Sequence, residues 1–197
     1  MPNPAPDDLA GALAFLREAE RLKNVLRTSW TSGGQPESTA SHTWRLCLMA
    51  LVFERNIPGL DWGRLIKICI IHDLGEAIHG DIPAIHQQAG APKAAQERRD
   101  LLTLVAPLPE SLRDEIVSLW DEYEAAATPE ARVAKALDKL ETLLQHNQGA
   151  NPPDFDYGFN LGYGRKFTDA VPLAAEIRKV IDEETRRKAA HATSRPA

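Results

Sequence analysis

The sequence predicts an all-α protein with a single domain, built as a helical bundle, and three observations support this prediction. Apolar residues recur at intervals of three and four over most of the chain, as in helices with one buried face. The chain has 197 residues, of which 43% are hydrophobic, and this is enough for one sizeable core. No stretch alternates apolar and polar residues as a half-buried strand does. We expect a flexible arm over residues 1–8, one domain over residues 9–187 and a disordered tail over residues 188–197.

The first helix is expected to begin at Asp7 or Asp8, either of which can cap it, and to reach about residue 25. Its last turn is basic. Lys23 and Arg27 are four residues apart and share a face if the helix continues, so they could bind an anion together. A solvated basic helix end that suits the helix dipole explains the same pattern. Residues 28–36, which contain two glycines and a proline, are expected to form a loop.

The second helix is expected to open at residue 37 or 38 and to reach about residue 56, with one apolar face. Asp61 can then cap a third helix over residues 62–78. Pro92 and Pro109 open two further predicted helices, over residues 92–105 and 109–125. Thr128 caps the next, with Pro129 at its first position, and that helix runs to about residue 147. Residues 149–164 are rich in glycine, proline and aromatic residues, and we expect an irregular connection there before a final helix over residues 168–187.

Composition narrows the functional classes. The net charge of −5 argues against binding of a nucleic acid polymer, which requires a basic face to replace counterions along many phosphates. Cys47 and Cys69 fall in apolar helical segments, so we interpret them as reduced core residues, consistent with a cytoplasmic protein. The proline-rich and acidic start is the reverse of a signal peptide. The apolar runs are far shorter than the roughly 20 residues of a membrane span, so we expect no membrane association.

The most informative stretch is residues 70–76, where an apolar run leads directly into His72 and Asp73. Burying both side chains without partners would be costly, and a divalent metal that both can bind is one good partner. His42 on the predicted second helix and Asp138 on the helix that starts at residue 129 extend the pair to an H…HD…D series. A single histidine is more often a core or capping residue, and Asp138 could pair with a neighbouring lysine. The combination is therefore what indicates a metal site.

Two imidazoles and two carboxylates suit one divalent transition metal per chain, namely Mn, Co, Fe, Ni or Zn, with Mg possible, better than a calcium cage or a thiolate zinc site. Four protein ligands leave positions open for water and substrate, as hydrolysis requires. Glu76, four residues after His72 on the same predicted helix, is placed for proton transfer. Arg27 or Lys23 could neutralise the charge of a phosphate. Asp81 follows in a loop beside the site, where a role as a turn residue is an equal alternative.

Several stretches in fixed order resemble one known family. They are LKNVLRT (residues 22–28), QPES (35–38), HDLGE (72–76), GDIP (80–83), LWDEYE (119–124) and the segment 135–144. Together they resemble the HD-domain metal-dependent phosphohydrolases, in particular their 5'-deoxynucleotidase branch, over roughly residues 15–148. The resemblance implies an all-helical HD domain that is commonly dimeric. It also implies removal of phosphate from deoxyribonucleoside 5'-monophosphates, with a small nucleotide as substrate.

The resemblance also implies roles for individual residues. The metal ligands would be His42, His72, Asp73 and Asp138. Arg27 would orient the substrate phosphate, Glu76 would lie near the nucleophilic water, and Asp81 would contact the substrate at the sugar. Glu122 would belong to a segment that lines the nucleotide pocket.

The chain departs from the family pattern at three places. Thr28 follows the phosphate-binding arginine, where bacterial members have a tryptophan that crowds a ribose 2'-hydroxyl, so the preference for deoxyribose is open. Gly33 and Gly34 replace a bulkier stretch. Residues 149–164 have no evident counterpart; their aromatic side chains are expected to pack the segment onto the domain, although one could line a pocket.

Three other functions remain open at this stage. An HD-domain hydrolase could act on a nucleoside triphosphate or a cyclic nucleotide instead. A di-iron oxygenase would need extra histidine ligands, for which His79 and His86 are the nearby candidates. A non-catalytic helical module would be expected to lack one of the ligands or Glu76, and this sequence keeps all of them.

Overall fold

Helix α7 (Pro129–Gln148) lies at the centre of the fold in the computed structural model, which describes residues 5–81 and 93–193. As predicted, Thr128 caps it, since its side chain accepts a hydrogen bond from the backbone of Ala131, and Pro129 occupies the first turn. Helices α2 (Thr39–Phe53), α3 (Trp62–Ile71), α6 (Glu110–Ala125) and α10 (Pro172–Thr193) pack around it. The prediction of an all-α, single-domain protein is confirmed.

Further helices complete the bundle. They are α1 (Pro6–Ala19), α4 (Glu76–His79), α5 (Lys93–Val105), α8 (Tyr157–Asn160) and α9 (Arg165–Thr168). The segment 149–164, expected to be irregular, therefore contains one short helix, and the last helix begins at Pro172. No helix in the described part of the chain is long and apolar enough to span a membrane.

The core forms where three helices meet. Leu46 of α2, Ile68 of α3 and Leu140 of α7 are fully buried. Each belongs to an apolar row with three- or four-residue spacing, so the periodicity identified the buried faces correctly. Cys69 is buried and Cys47 half-buried, and both are free thiols.

The segment after α1 is not α-helical, and the prediction of a helix that carries Lys23 and Arg27 on one face was wrong. A 3₁₀ turn (Glu20–Lys23) follows α1, and strands β1 (Leu26–Trp30) and β2 (Pro36–Ser38) then pair as an antiparallel hairpin. Gly34 allows the positive φ of 77° in the connection. Because β1 packs against α7, the strand is stabilised by tertiary contacts that local periodicity does not reveal. Lys23 and Arg27 consequently do not share a helix face.

The predicted helix over residues 62–78 is interrupted. Helix α3 ends at Ile71, residues 72–75 form successive turns, and α4 begins at Glu76. Gly75 lies at the end of this interruption, where a Cβ atom would lie only 2.6 Å from the carbonyl oxygen of Glu97 in α5. The glycine lets α5 approach the turn, and the His72-Asp73 pair lies in this turn rather than inside a continuous helix.

Both ends of the described part of the chain are more helical than expected. Pro6 occupies the first turn of α1 with Asp7 and Asp8, so the helix starts within the predicted arm. Helix α10 continues to Thr193 through strong helix formers such as Lys188 and Ala189, so residues 188–193 are not a disordered tail. His86, a candidate ligand for the oxygenase alternative, lies outside the described residues.

Candidate metal centre and active site

Three separate elements bring the four predicted metal ligands together. His42 comes from the start of α2, His72 and Asp73 from the turn after α3, and Asp138 from the middle of α7. His42 Nε2 lies 3.2 Å from Asp138 Oδ1 and 3.9 Å from Asp73 Oδ2. His72 Nε2 lies 3.1 Å from the same oxygen of Asp73. Ligating atoms of His42, His72 and Asp73 all lie within 4.8 Å of one another, so one ion can contact all three.

The hydrogen bonds of the two imidazoles fit a metal. His72 Nδ1 donates to the carbonyl oxygen of Cys69 at 2.8 Å, and His42 Nδ1 donates to Glu141. These bonds fix the tautomers and direct the Nε2 lone pairs into the site. Among the described residues, both Nε2 atoms and Asp73 Oδ2 are buried without a hydrogen-bond partner. Since burying such atoms unpaired is costly, a divalent cation fits the donor set.

A second group of possible ligands, Glu37, His42 and Glu141, has a different explanation. Glu141 already accepts hydrogen bonds from His42 Nδ1 and, at 2.6 Å, from Arg45 Nε. Glu37 Oε2 lies 3.5 Å from Arg27 Nε. We therefore interpret these two carboxylates as partners of His42 and Arg27 rather than as a second metal site.

Charge distribution keeps the ligand carboxylates ionised. Burial raises the pKa of Asp73, but His72, His42 and Arg27 outweigh it, so the pKa lies below its usual value. For Asp138, Lys139 and the imidazoles likewise overcome burial and lower the pKa. Burial and Arg27 lower the pKa of His42, but Glu141 and Asp138 outweigh them and raise it to about 9 without a metal.

Arg27 extends from β1 to the edge of the metal site. Its Nη2 donates to Thr142 Oγ1 at 3.0 Å, and its Nη1 lies 3.6 Å from Asp73 Oδ2. Burial lowers its pKa, but the charges of Asp73, Asp81 and Asp138 outweigh this effect and raise it. The guanidinium thus stays positive next to the metal ligands, where a phosphate would need a counter-charge.

Glu76 is buried at the start of α4, near the ligands but not within their set. Its Oε2 accepts a hydrogen bond from Thr39 at 3.4 Å, and its Oε1 lies 3.3 Å from Lys93 Nζ. Burial, followed by the charges of Asp73 and Asp81, raises the pKa of Glu76 to about 10 in the metal-free protein. The carboxyl group is therefore easily protonated, and a nearby cation would favour its ionised form.

Lys93 connects several acidic groups and was missed in the sequence. Its Nζ lies 3.3 Å from Glu76, 3.5 Å from Asp81 and 3.1 Å from Glu97. Lys93 is the first residue of the charged helix α5. Its position in the sequence does not indicate that its side chain reaches the site. Asp81 and Glu76 therefore both contact the ammonium group of Lys93.

Two predicted substrate contacts are not brought to the site. Lys23 is exposed at the end of its 3₁₀ turn and does not line the cavity described below. Glu122 instead accepts hydrogen bonds from Arg64 and Thr128, while the next residue, Tyr123, faces the site. His79, considered for an oxygenase, pairs with Asp100 at 2.7 Å.

A cavity of about 1210 Å³ opens over the ligands. Arg27, Asp73 and Glu76 line it. Phe155, Phe159 and Tyr163 also line it, and they come from the segment 149–164, which has no evident counterpart in the family pattern. Three of the four aromatic residues of this segment therefore contribute to the cavity.

Fold and site together define a class. A helical bundle that brings two imidazoles and two carboxylates together, with buried unpaired atoms on three of them and with a half-buried arginine and a buried glutamate beside them, has the arrangement of a metal-dependent hydrolase.

The HD domain family model matches residues 19–178, so this chain belongs to the HD domain family. It is 34% identical over 192 residues to the mouse protein named 5'-deoxynucleotidase HDDC2, covering 94% of this chain and 92% of that protein. It is 35% identical over 138 residues to the human protein of that name, covering 69% and 67% of the two chains. The crystal structure of a predicted metal-dependent phosphohydrolase from Magnetospirillum magnetotacticum superimposes with a TM-score of 0.81 at 30% identity, over 94% of this chain and 97% of that one.

Proposed function

We propose that this protein is a metal-dependent phosphomonoesterase that hydrolyses nucleoside 5'-monophosphates, including deoxyribonucleotides, to the nucleoside and phosphate. The observation that carries the proposal is the set of buried, unpaired atoms on His42, His72 and Asp73 beside Arg27 and Glu76. Relatives named 5'-deoxynucleotidase, similar over 94% of the chain for the mouse protein and 69% for the human protein, support this substrate class.

One divalent metal would be held by His42, His72, Asp73 and Asp138. When bound, such an ion lowers the pKa of water and polarises a phosphoryl oxygen. The mixed nitrogen and oxygen donors favour Mn, Fe, Co, Ni or Zn. We propose one such ion per chain.

Arg27 would bind and orient the phosphate. Its guanidinium is fixed by Thr142 on one side and lies 3.6 Å from Asp73 on the other, so a phosphate next to the metal ligands falls within reach. A planar guanidinium can donate two hydrogen bonds to one phosphate, which aligns the phosphorus for attack.

Glu76 would move the proton of the reaction. Its carboxylate takes a proton from the attacking water, whose oxygen forms the new bond to phosphorus. The bond between phosphorus and the 5'-oxygen breaks, and the leaving oxygen receives that proton. Its buried carboxyl group, contacted by Thr39 and Lys93 beside the proposed ligands, supports this role.

The nucleoside would occupy the rest of the cavity. The cavity volume of about 1210 Å³ exceeds the range of about 300–1,000 Å³ that is typical of small-molecule sites, so a nucleoside fits. We propose that Asp81 contacts the sugar. Thr28, which is exposed and lines the cavity, is smaller than tryptophan, so we expect ribonucleotides to be accepted along with deoxyribonucleotides.

A phosphate-release screen tests the proposal. Purified protein would be given ribo- and deoxyribonucleoside 5'-monophosphates with Mn, Co, Mg and Zn in turn, and then di-, tri- and cyclic nucleotides. We expect release from the monophosphates with at least one of these metals, and none from Asp73→Asn. Release confined to triphosphates or cyclic nucleotides, or release that Asp73→Asn leaves intact, would refute the proposal.

Arg27→Met provides a second test with a matched control. Removing the guanidinium should raise KM for the nucleotide more than tenfold, since a charge-assisted pair contributes roughly 1.5–3 kcal/mol. Arg21→Met removes an equally long cation that pairs with Glu18 on the surface, and its KM should not change. Equal KM values in the two variants would exclude Arg27 from phosphate binding.

We further propose that the protein is a homodimer in the cytoplasm. The outward face of α2 presents Trp44, Leu48, Leu51 and Val52 at helical spacing, and the first and last are 66% and 65% exposed. A second copy of this chain would cover that stripe. The two free cysteines suit a reducing compartment such as the cytoplasm.

Sedimentation tests the dimer. Leu51→Glu should halve the measured mass, whereas Val180→Glu, at an exposed site on α10, should not. A monomeric wild-type protein would refute the dimer.

A further inference from the structure

We propose that Tyr123 and Lys139 are positioning residues that occupy one carboxylate oxygen of Asp138, so that Asp138 offers only its other oxygen to the metal. The inference rests on the metal site proposed above, and it assigns roles to two side chains outside the ligand set.

The two oxygens of Asp138 have different surroundings. Tyr123 OH donates a hydrogen bond to Oδ2 at 2.6 Å, and Lys139 Nζ lies 2.8 Å from the same atom. Oδ1 instead faces the site, where it lies 3.2 Å from Nε2 of His42, an atom without a hydrogen-bond partner among the described residues. One oxygen is thus held by two donors, while the other lies next to an available ligand atom.

This asymmetry determines how Asp138 can bind an ion. A carboxylate that binds through both oxygens occupies two coordination positions. Oδ2 already receives a charge-assisted contact from Lys139 and a hydroxyl hydrogen bond, so binding a cation there would disrupt both. Restricting Asp138 to Oδ1 leaves a position for water or a phosphate oxygen, which a hydrolytic site requires.

Tyr123 is held rigidly enough for this role. It is buried on α6, and the edge of its ring packs against His72 with 5.1 Å between ring centroids. Lys135 Nζ lies 4.4 Å from the centre of the same ring. The tyrosine therefore contacts two of the four proposed ligands, Asp138 through its hydroxyl and His72 through its ring.

Lys139 is held by the segment that sequence analysis could not assign. Adjacent residues on a helix point about 100° apart, so Lys139 must bend back to reach Asp138. Its Nζ lies 5.4 Å from the centre of the Tyr163 ring. Gly164, at φ 69°, packs directly on the lysine stem, since an added Cβ atom would lie 2.8 Å from Cβ and Cγ of Lys139. The segment thereby confines the lysine beside the metal ligand.

Cobalt binding to metal-free protein tests the inference without any substrate. Tyr123→Phe and Lys139→Met should each weaken Co²⁺ affinity about 10–100-fold, the usual effect of removing a partner of a metal ligand. Competition with a chromophoric chelator measures the affinity. The visible absorption of bound Co²⁺ should also change, because it reports the coordination number. Lys139→Arg keeps a cation and should retain more affinity than Lys139→Met.

Tyr157→Phe is the matched control. Its hydroxyl accepts a hydrogen bond from Asn151 at 3.0 Å and does not line the cavity, so Co²⁺ affinity should be that of the wild type. Wild-type affinity and spectrum in Tyr123→Phe and Lys139→Met would overturn the inference. An equal loss of Co²⁺ affinity in Tyr157→Phe would also overturn it. The same holds for a loss of affinity in Tyr123→Phe and Lys139→Met without any change in the spectrum. A wild-type protein that binds no Co²⁺ would overturn it as well. A protein that passes these tests but releases no phosphate would refute the proposed function alone.

Discussion

Glu76 differs from the neighbouring acidic groups because its surroundings favour the protonated form. Asp73 and Asp138 face imidazoles and a cation, and their pKa values are lowered. Glu76 is buried near two other carboxylates, whose effect Lys93 and Arg27 oppose only in part, so its pKa rises to about 10 without a metal. Hydrolysis needs such a division of roles, in which Asp73 and Asp138 would hold an ion and Glu76 would move a proton.

Glu76→Gln should therefore separate metal binding from turnover. Glutamine keeps the shape of the side chain but cannot exchange a proton, so kcat should fall about 10²–10⁴-fold while the metal content stays unchanged. Glu97→Gln removes another partner of Lys93 and should stay within a few-fold of wild type. A Glu76→Gln variant with wild-type kcat would remove Glu76 from the mechanism.

His146 is a second buried group with a strongly shifted pKa, outside the ligand set. It lies on α7 with Nδ1 3.0 Å from Asn160 Oδ1, and its ring packs edge-on against Phe155 with centroids 4.9 Å apart. Burial lowers its pKa to about 4. The folded protein thus keeps His146 neutral at a pH at which the unfolded chain protonates it.

The pH dependence of stability follows from that difference. Below about pH 6.5 the unfolded state binds a proton that the folded state does not, so stability is lost as the pH falls from 6.5 towards 4. At pH 4.5 the shifted pKa of His146 lowers the free energy of unfolding by about 2–3 kcal/mol relative to its value at pH 7. Urea unfolding of metal-free protein at pH 7 and 4.5 should show a smaller loss in His146→Gln than in the wild type. Equal losses would contradict the assigned shift.

At the scale of elements, the turn over residues 72–75 determines where the ligands lie. It requires glycine at position 75 because α5 packs against it. Gly75→Ala should cost about 1–3 kcal/mol of unfolding free energy, since the backbone must shift to relieve the overlap. Gly33→Ala is the control, because the atom closest to its added Cβ lies 3.8 Å away. Chemical denaturation measures both, and equal stability would show that the close approach does not constrain the turn.

Sequence predicted the helices better than their interruptions. Apolar spacing identified the cores of α2, α3 and α7 because one face of each is buried. The interruption after Ile71 could not be seen, since Leu74 and Ala77 continue the apolar pattern. The hairpin of β1 and β2 is short and depends on packing against α7, which local sequence does not encode.

The same contrast applies to the site. His42, His72, Asp73 and Asp138 could be predicted as a group because polar residues next to apolar helical faces need a shared partner. Lys93 and Tyr123 were missed because their contacts with the site join different helices. A pairing of Asp138 with a neighbouring lysine was considered, and Lys139 does contact Asp138, but the packing of Gly164 and Tyr163 against that lysine could not be seen in the sequence.

For the whole molecule, the metal centre is also where the bundle is joined. Its proposed ligands come from α2, from the turn between α3 and α4, and from α7, around which other helices pack. An ion that binds only the folded chain stabilises it by mass action, by about 2.7 kcal/mol at a hundred times Kd. If these four side chains hold the ion as proposed, folding and catalysis depend on the same residues.

The metal content of purified protein, measured for the wild type and Asp138→Asn after loading with Co²⁺ and desalting, tests this account most directly. We predict one ion per chain in the wild type and loss of that ion in Asp138→Asn. Asp121→Asn, which removes a surface partner of Arg98, should keep it. A folded wild-type protein without bound metal, or an Asp138→Asn variant that retains one ion per chain, would contradict the shared site.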